Sequence, residues 1–302
     1  MRFNIDFINR RRLWYIISAI LIAAGLVAMA VNWPQPLNFG IDFTGGNIIE
    51  IEFAQNVKSV QVRQVLEKLD LSNATIQAAG ERQYLLRVPE LSEGDYNKII
   101  AGLKENLGEA KILRSDKVGG VISKELTRKA LYATGIAWVL MVIYITIRFE
   151  FFFGLAAVLA LIHDVLMTSG LFAIFRWEVD SAFVAAILTI IGYSINDTIV
   201  IFDRIRENLK MRKKESLEDL VNKSINQTLT RSINTVMTVI LALLALLFLG
   251  GETTRGFALA MLIGVISGTY SSICVASPLW IDFRHYARER RRAAARVKKA
   301  TS

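Results

Sequence analysis

Four ionisable side chains stand within or at the edge of long apolar stretches, where a charge facing lipid costs free energy and is a functional candidate by default. His163 and Asp164 fall near the middle of the apolar run 151–175. Asp197, preceded by Asn196, falls five residues before the end of the run 182–202. Arg231 stands at the entrance to the run 233–249, and Asn234 (or Thr235) and Thr238 follow it at helical spacing to make one polar stripe. The chemistry open to such a set is proton transfer. Desolvation favours the neutral form of a carboxyl, and a neighbouring guanidinium favours the charged form. A carboxyl balanced between the two can load a proton from one side and release it to the other, whereas arginine stays protonated throughout.

The connection 203–232 returns the chain, so Asp197 and Arg231 are expected at one depth on antiparallel neighbours. The roles that follow are Asp197 as proton carrier and Arg231 as the fixed charge that tunes it. Two plainer readings stand beside this one. Asp197 can cap a helix end or pair permanently with Arg231, and Arg231 can snorkel to the headgroups. Depth alone prefers Asp164 to Asp197 as the carrier. His163 and Asp164 are adjacent, about 100° apart on a helix, so they are not expected to form a carboxylate–histidine pair facing one cavity. They read either as relay residues or as hydrogen bonds that fix helix packing.

Other chemistries find few residues. The chain has two histidines far apart, His163 and His285, and one cysteine, which leaves no zinc set, and that cysteine, Cys274, lies inside the sixth apolar block and says nothing about disulfides or redox compartment. Gly45-Gly46 and Gly119-Gly120 lack the lysine and the strand–helix context of a phosphate-binding loop, so an ATPase is not expected. No Ser–His or paired-Asp constellation recurs on two facing spans, which disfavours a membrane protease. The chain is not expected to be an enzyme, to bind a metal or to carry a cofactor; the proton would be its coupling ion.

The elements that must position these groups are membrane spans. Of 302 residues 53% are hydrophobic, gathered into blocks, and a span needs about 20 mostly apolar residues. Six blocks qualify, at 13–31, 130–147, 151–175, 182–202, 233–249 and 257–281, with 230–235 extending the fifth. If the N-terminus 1–12, the second-to-third and fourth-to-fifth connections and the tail 282–302 share one side, that side holds 21 Lys/Arg against nine acids. The remainder holds 15 against 18. This asymmetry orients both termini to the cytoplasm and accounts for the net charge of +9 without a nucleic-acid partner. The basic stretch 288–299 can in addition touch anionic lipid or ribosomal RNA. Ala28-Met29-Ala30 resembles a signal-peptidase site, but its 19-residue apolar run exceeds the usual core of about 7–15 residues and predicts an uncleaved anchor.

Between the first two spans lie 98 residues, 32–129, balanced at 13 basic and 13 acidic side chains. "NIIEIEF" (47–53) alternates like a strand, and 59–69 carries Val62, Val65, Leu66 and Leu69 at helical spacing with Ser59 as its N-cap. Strand-like runs follow at 74–80 and 83–89, then a helix over 91–108 with Ser92 and Asp95 as a capping box, then a strand at 110–116. The order β-α-β-β-α-β predicts a ferredoxin-like α+β domain, external to the membrane. "NIIEIEF" and its neighbours read as core, or as an edge that grips extended polypeptide by strand addition. A helix beginning near Ser123 is expected to run on into the second span. Within 203–232, Leu217, Leu220, Val221 and Ile225 predict an interfacial amphipathic helix. In the sixth span Gly256, Ala260, Gly264, Gly268 and Ser272 place a small residue at every fourth position, a pattern for close helix contact, internal or with a partner subunit.

Three motifs carry a resemblance. "NFGIDFTGG" (38–46) opens the external domain with Phe39, Gly40, Ile41, Asp42, Phe43, Thr44, Gly45 and Gly46; "LIHD" spans 161–164; "GYSINDTIVIFDRIREN" spans 192–208. With six spans and one external domain, the chain over 1–285 resembles the SecF side of the SecD/SecF protein-export family, within the resistance-nodulation-division superfamily. The resemblance implies a bacterial inner-membrane subunit working with SecD beside the SecYEG channel. There it would use the proton-motive force to draw preproteins outward after the ATP-driven motor SecA has begun the transfer. It also implies Asp197 as the proton-responsive carboxylate and Arg231 as its partner, with the segment 117–129 transmitting the movement of the spans to the domain. Two other readings use the same architecture: a proton-driven exporter of small molecules, disfavoured by one six-span half and a small external domain, and a passive assembly factor.

Overall fold

The computed structural model describes residues 5–72 and 74–300, so the first four and last two residues of the expected cytoplasmic termini lie outside the described residues. In chain order the elements are α1 (Arg11–Val31), β1 (Asn38–Phe39), α2 (Ile41–Thr44), β2 (Gly46–Phe53), α3 (Ser59–Lys68), β3 (Thr75–Ala78), β4 (Gln83–Val88), α4 (Glu93–Leu107) and β5 (Ala110–Val118). Then come α5 (Gly120–Arg148), α6 (Phe151–Phe175), β6 (Glu178–Val179), α7 (Ser181–Lys210), α8 (Leu217–Leu249) and α9 (Glu252–Ser271). A π-turn at Ser272–Ala276 leads into α10 (Ser277–Ala300). The chain divides into two compact units, Met1–Asn38 with Ala133–Ser302, and Phe39–Tyr132.

The larger unit is helical. Among the described residues six helices are long and apolar enough to cross a membrane, and the chain is a multi-pass membrane protein. α6, α7 and the α9–α10 helix form its interior, while α1 and α8 bury little of their apolar surface, leaving it for lipid or for another protein. Close backbone approach carries the packing, as expected where lipid offers no hydrophobic drive between helices. A Cβ on Gly25 of α1 would stand 2.6 Å from the Gly170 Cα of α6. The π-turn has a local cause. Pro278 has no N–H to give the Cys274 carbonyl one turn earlier, and beside it the Ser277 hydroxyl donates to the Ser272 carbonyl at 2.9 Å.

At one end of this unit Arg148 pairs with Asp203 at 2.7 Å, Arg11 with Asp282 at 3.0 Å and Arg284 with Glu150 at 3.0 Å. Asn222 and Asn226 of α8 clasp the backbone of Ile5 and Phe7. These bonds gather at one end the four segments whose excess of Lys/Arg predicted a shared side. The expected interfacial helix is absent. α7 runs on to Lys210, and after a short turn α8 starts at Leu217 and continues unbroken to Leu249. Leu217, Leu220, Val221 and Ile225 are buried against protein, not laid on lipid. An amphipathic stripe marks a buried face without saying what buries it.

The smaller unit is a four-stranded antiparallel sheet in the order β3-β4-β2-β5 with α3 and α4 packed on it. This is the ferredoxin-like arrangement that the element order predicts. β2 is central, paired on both sides, so it cannot grip a peptide at an edge; Ile49, Ile51 and Phe53 are wholly buried. The N-cap of α3 is Lys58, not Ser59, and the Gln61 side chain accepts from its backbone N–H at 2.9 Å.

Ser92 caps α4 as expected, accepting from the Asp95 N–H at 3.2 Å. The Ser92 hydroxyl and the Lys98 ammonium hold the Asp95 carboxyl below its usual range. A depressed carboxyl adds stability above its unfolded-state value and loses it as pH falls through its folded-state value. Ser92→Ala is expected to cost about 1 kcal/mol, read as faster hydrogen exchange in the first turn of α4. In wild type, protection there, corrected for intrinsic exchange, is expected to decline as pH falls through the carboxylate range.

The glycine pair that ends "NFGIDFTGG" has a steric reason. α2 is a single turn, and Gly45 and Gly46 leave it with φ of +72° and +124°. A Cβ on Gly46 would stand 2.5 Å from the Val88 carbonyl oxygen. Gly46→Ala is therefore expected to destabilise the domain by about 2 kcal/mol or more, measured by chemical denaturation or limited proteolysis of the full chain.

Candidate proton site within the membrane helices

α6, α7 and α9 bring two carboxylates into the helical interior and treat them differently. Asp164, on α6, is 1% exposed. Its Oδ2 accepts from Ser194 of α7 at 2.6 Å and from Ser271 of α9 at 2.8 Å. Its Oδ1 accepts from Ser267 of α9 at 2.8 Å and faces His163 Nδ1 at 3.0 Å. Four partners match the four lone-pair sites of a carboxylate. His163 and Asp164 thus do pair side chain to side chain, against the expectation from their angular separation. The 100° between neighbours describes Cα–Cβ directions, and these two side chains are long enough to fold back on each other.

His163 Nε2 reaches Ser18 of α1 at 2.9 Å, Ser18 reaches the Tyr270 hydroxyl at 3.1 Å, and Tyr270 donates to the Trp14 carbonyl at 2.8 Å. Tyr270 has one hydroxyl proton, which the Trp14 carbonyl takes, so the Ser18–Tyr270 bond uses the Ser18 proton. His163 then donates from Nε2 to Ser18, and its Nδ1 shares a hydrogen bond with Asp164 Oδ1. The chain of bonds ends on a backbone carbonyl of α1.

Asp197, on α7, is 8% exposed and has one direct hydrogen bond, from Thr269 of α9 at 3.2 Å. The Ser232 hydroxyl of α8 lies against the same carboxylate without closing a hydrogen bond. Arg231 does not make the expected ion pair. Its charge acts on Asp197 from beyond salt-bridge distance, and the residue is exposed on the surface of α8. The reason is rotational. Ser232, not Arg231, is the residue of this turn that α8 turns inward, and the arginine one place earlier points off the contact face. Asn196, Asn234 and Thr238 are likewise exposed, and Thr235 is half-buried. Asp197, Asn196, Thr235 and Thr269 line a narrow recess with space for about one water molecule.

Three members of the small-residue stripe seat α9 on α7. A Cβ on Gly264 would fall 2.2 Å from the Ile190 side chain, and one on Gly268 would fall 2.9 Å from the Ser194 Cβ. Ser272 donates to the Ser194 carbonyl at 3.3 Å and shares a bond with the Thr198 hydroxyl at 2.8 Å. Ala260 is buried, while Gly256 has nothing within 4 Å of where its Cβ would be. This contact is internal. The approach also aims the hydroxyls of Ser267 and Ser271 at Asp164, residues that the sequence reading passed over. The signal was present: Ser267 and Ser271 recur four apart beside the small-residue stripe, as a second, hydroxyl stripe. Among the described residues no group of three or more His, Cys, Asp or Glu could hold a metal ion.

The fold and site define a class: polytopic helical membrane proteins with ionisable side chains buried between their spans and a compact α+β domain after the first. The chain belongs to the SecD/SecF family of protein-export membrane proteins. The model of the SecD/SecF C-terminal region matches residues 98–286, and that of the SecD/SecF GG motif matches 35–57. The chain is similar to the protein translocase subunit SecF of Sebaldella termitidis, 40% identical over 94% of this chain and 93% of that one. It is 38% identical to the protein translocase subunit SecDF of Bacillus subtilis over 92% of its own length and 38% of that protein's. Among solved structures it resembles SecDF, a translocon-associated membrane protein from Thermus thermophilus, with a TM-score of 0.83 and 38% identity. That match covers 94% of this chain and 39% of the solved one, so the chain spans about two fifths of that structure's length.

Proposed function

We propose that the chain is an auxiliary subunit of the Sec protein translocase that, with SecD, uses the proton-motive force to promote preprotein export across the cytoplasmic membrane of a bacterium. The export role is supported by family membership over nearly the whole chain. Relatives that carry SecD and SecF in one chain support SecD as the partner, and their translocon association supports SecYEG as the neighbour. The distribution of Lys/Arg supports both termini in the cytoplasm and the ferredoxin-like domain outside. The protein acts by coupling and not as an enzyme.

Proton coupling is supported above all by the contrast between the two buried carboxylates. Asp164 has every lone-pair site engaged, so a proton arriving there must turn or displace one of four interhelical or neighbouring partners. Asp197 has one direct hydrogen bond, an idle hydroxyl beside it and a recess for water, so it can gain or lose a proton without dismantling the helix packing. Asp197 is accordingly the carrier, Arg231 the charge that biases it from the α8 surface, and Asp164 with His163 a hydrogen-bonded pair that ties α1, α6, α7 and α9. Export into inverted membrane vesicles, with and without a proton gradient, tests this when wild type is compared with Asp197→Asn.

A further inference from the structure

Three helices meet at Asp197, and two of them present a hydroxyl. Thr269 Oγ1 lies 3.2 Å from Asp197 Oδ2 and 3.1 Å from the Val265 carbonyl. It has one proton for these two acceptors, so the bonds compete. Ser232 is 1% exposed, lies against the carboxylate, and its Oγ has no hydrogen-bond partner. A buried hydroxyl without a partner is costly and calls for an explanation.

The two protonation states of the carboxyl ask for opposite partners. An ionised carboxylate only accepts; a protonated one must also donate its new O–H. We propose that Thr269 and Ser232 are positioning residues that solvate Asp197 in both of its states, reversing the direction of their hydrogen bonds as it gains and loses a proton. In the ionised state the Thr269 proton goes to Asp197 Oδ2 and Ser232 donates to the other oxygen. When a proton from water in the recess forms the carboxyl O–H, the Thr269 proton turns to the Val265 carbonyl. The lone pairs of Thr269 or Ser232 then accept from the acid. Release breaks the O–H, returns the proton to water, and restores the first arrangement. No other covalent bond changes. The recess holds about one water, too little to solvate both states alone.

Four other ionisable groups near this carboxyl are placed so as not to substitute for the hydroxyls, and a fifth, Tyr193 of α7, lines the recess itself. From α8 the facing charge is Arg231, which cannot accept a proton bond. From α6, Asp164 and His163 face Ser18, Ser194, Ser267 and Ser271. From α9 the one titrating side chain nearby, Tyr270, points to α1. Because Ser232 is on α8 and Thr269 on α9, each reversal changes the bonding of α7 to both neighbours, which would let a proton on Asp197 be felt as a shift in helix contact.

This inference rests on Asp197 being the carrier, and the test separates the two. Thr269→Val, Thr269→Ser, Ser232→Ala and Ser232→Thr are assayed in inverted vesicles containing the full translocase, with Asp197→Asn as reference. The readout is gradient-driven export per amount of chain across a pH series. Removing either hydroxyl is expected to lower it about tenfold, the effect of one hydrogen bond to a charged group, and to displace its pH profile. Thr269→Ser and Ser232→Thr are expected to keep the wild-type profile. Wild-type rates and profile in both Thr269→Val and Ser232→Ala, with Asp197→Asn inactive, would overturn the hydroxyl role alone. Gradient-driven export in Asp197→Asn would overturn the carrier and this inference together. Should Thr269→Val not accumulate in membranes, the Ser232 pair decides on the same readout.

Discussion

Asp197→Asn is expected to reduce gradient-dependent export to the level measured without a gradient, while the chain still accumulates and assembles with its partner. The substitution preserves shape, and the amide oxygen can still accept the Thr269 hydroxyl, so the α7–α9 contact loses little. What it removes is the proton. Moving one charge through 100 mV is worth about 2.3 kcal/mol, enough to shift a two-state equilibrium by tenfold or more. A variant that cannot bind the proton forfeits that bias at every cycle. Undiminished gradient-dependent export by this variant, at equal membrane levels, would remove the carrier role and favour a passive stabiliser of the channel.

Asp164→Ala is expected to fail differently, by losing the folded helical unit. It leaves the hydroxyls of Ser194, Ser267 and Ser271 without their acceptor in the interior and His163 Nδ1 without its partner. A buried orphan donor costs about 1–3 kcal/mol in soluble proteins, and interhelical hydrogen bonds within membranes average about 0.6 kcal/mol. Some of the loss is recovered locally, since Ser271 already has the Gly268 carbonyl within 3.1 Å. The net cost should be roughly 2–5 kcal/mol, visible as a lower unfolding temperature in detergent and less protein in the membrane. His163 would also lose its hydrogen-bond partner, which weakens the tie to α1 through Ser18 and Tyr270. If Asp164→Ala melted like wild type but abolished gradient-driven export, Asp164 would be a carrier and not a tie. The two carboxylates thus have separable signatures: activity without stability for one, stability first for the other.

Much of this arrangement is legible along the chain. Hydrophobic blocks near 20 residues must become spans, because a backbone in lipid can satisfy its own hydrogen bonds only within a helix or a closed barrel. The alternation and helical spacing of 47–116 lead to the ferredoxin-like order, since period-2 and period-3.6 patterns bury different faces. Ser92 acts through a neighbour three residues away, so its role follows from local sequence, whereas Gly46 answers also to the Val88 carbonyl on a paired strand. The small-residue stripe announces a close helix contact for the same reason.

Partners across helices are another matter. Linear spacing placed Arg231 opposite Asp197, but a rotation of α8 by one residue turns Ser232 inward and leaves the arginine at the surface. The same spacing kept His163 from Asp164, yet side-chain length closes that bond. It ranked Asp164 first by depth, yet three serines from two other helices saturate it. It made an interfacial helix of a segment that α8 simply absorbs. The sequence by itself therefore determined the membrane class, the six spans, the domain fold and the identity of the polar groups, because each follows from periodicity and composition along one element. Only the tertiary structure shows the bonding that distinguishes the two carboxylates, four partners for Asp164 and one direct hydrogen bond for Asp197, because that depends on the rotation and close approach of helices distant in sequence.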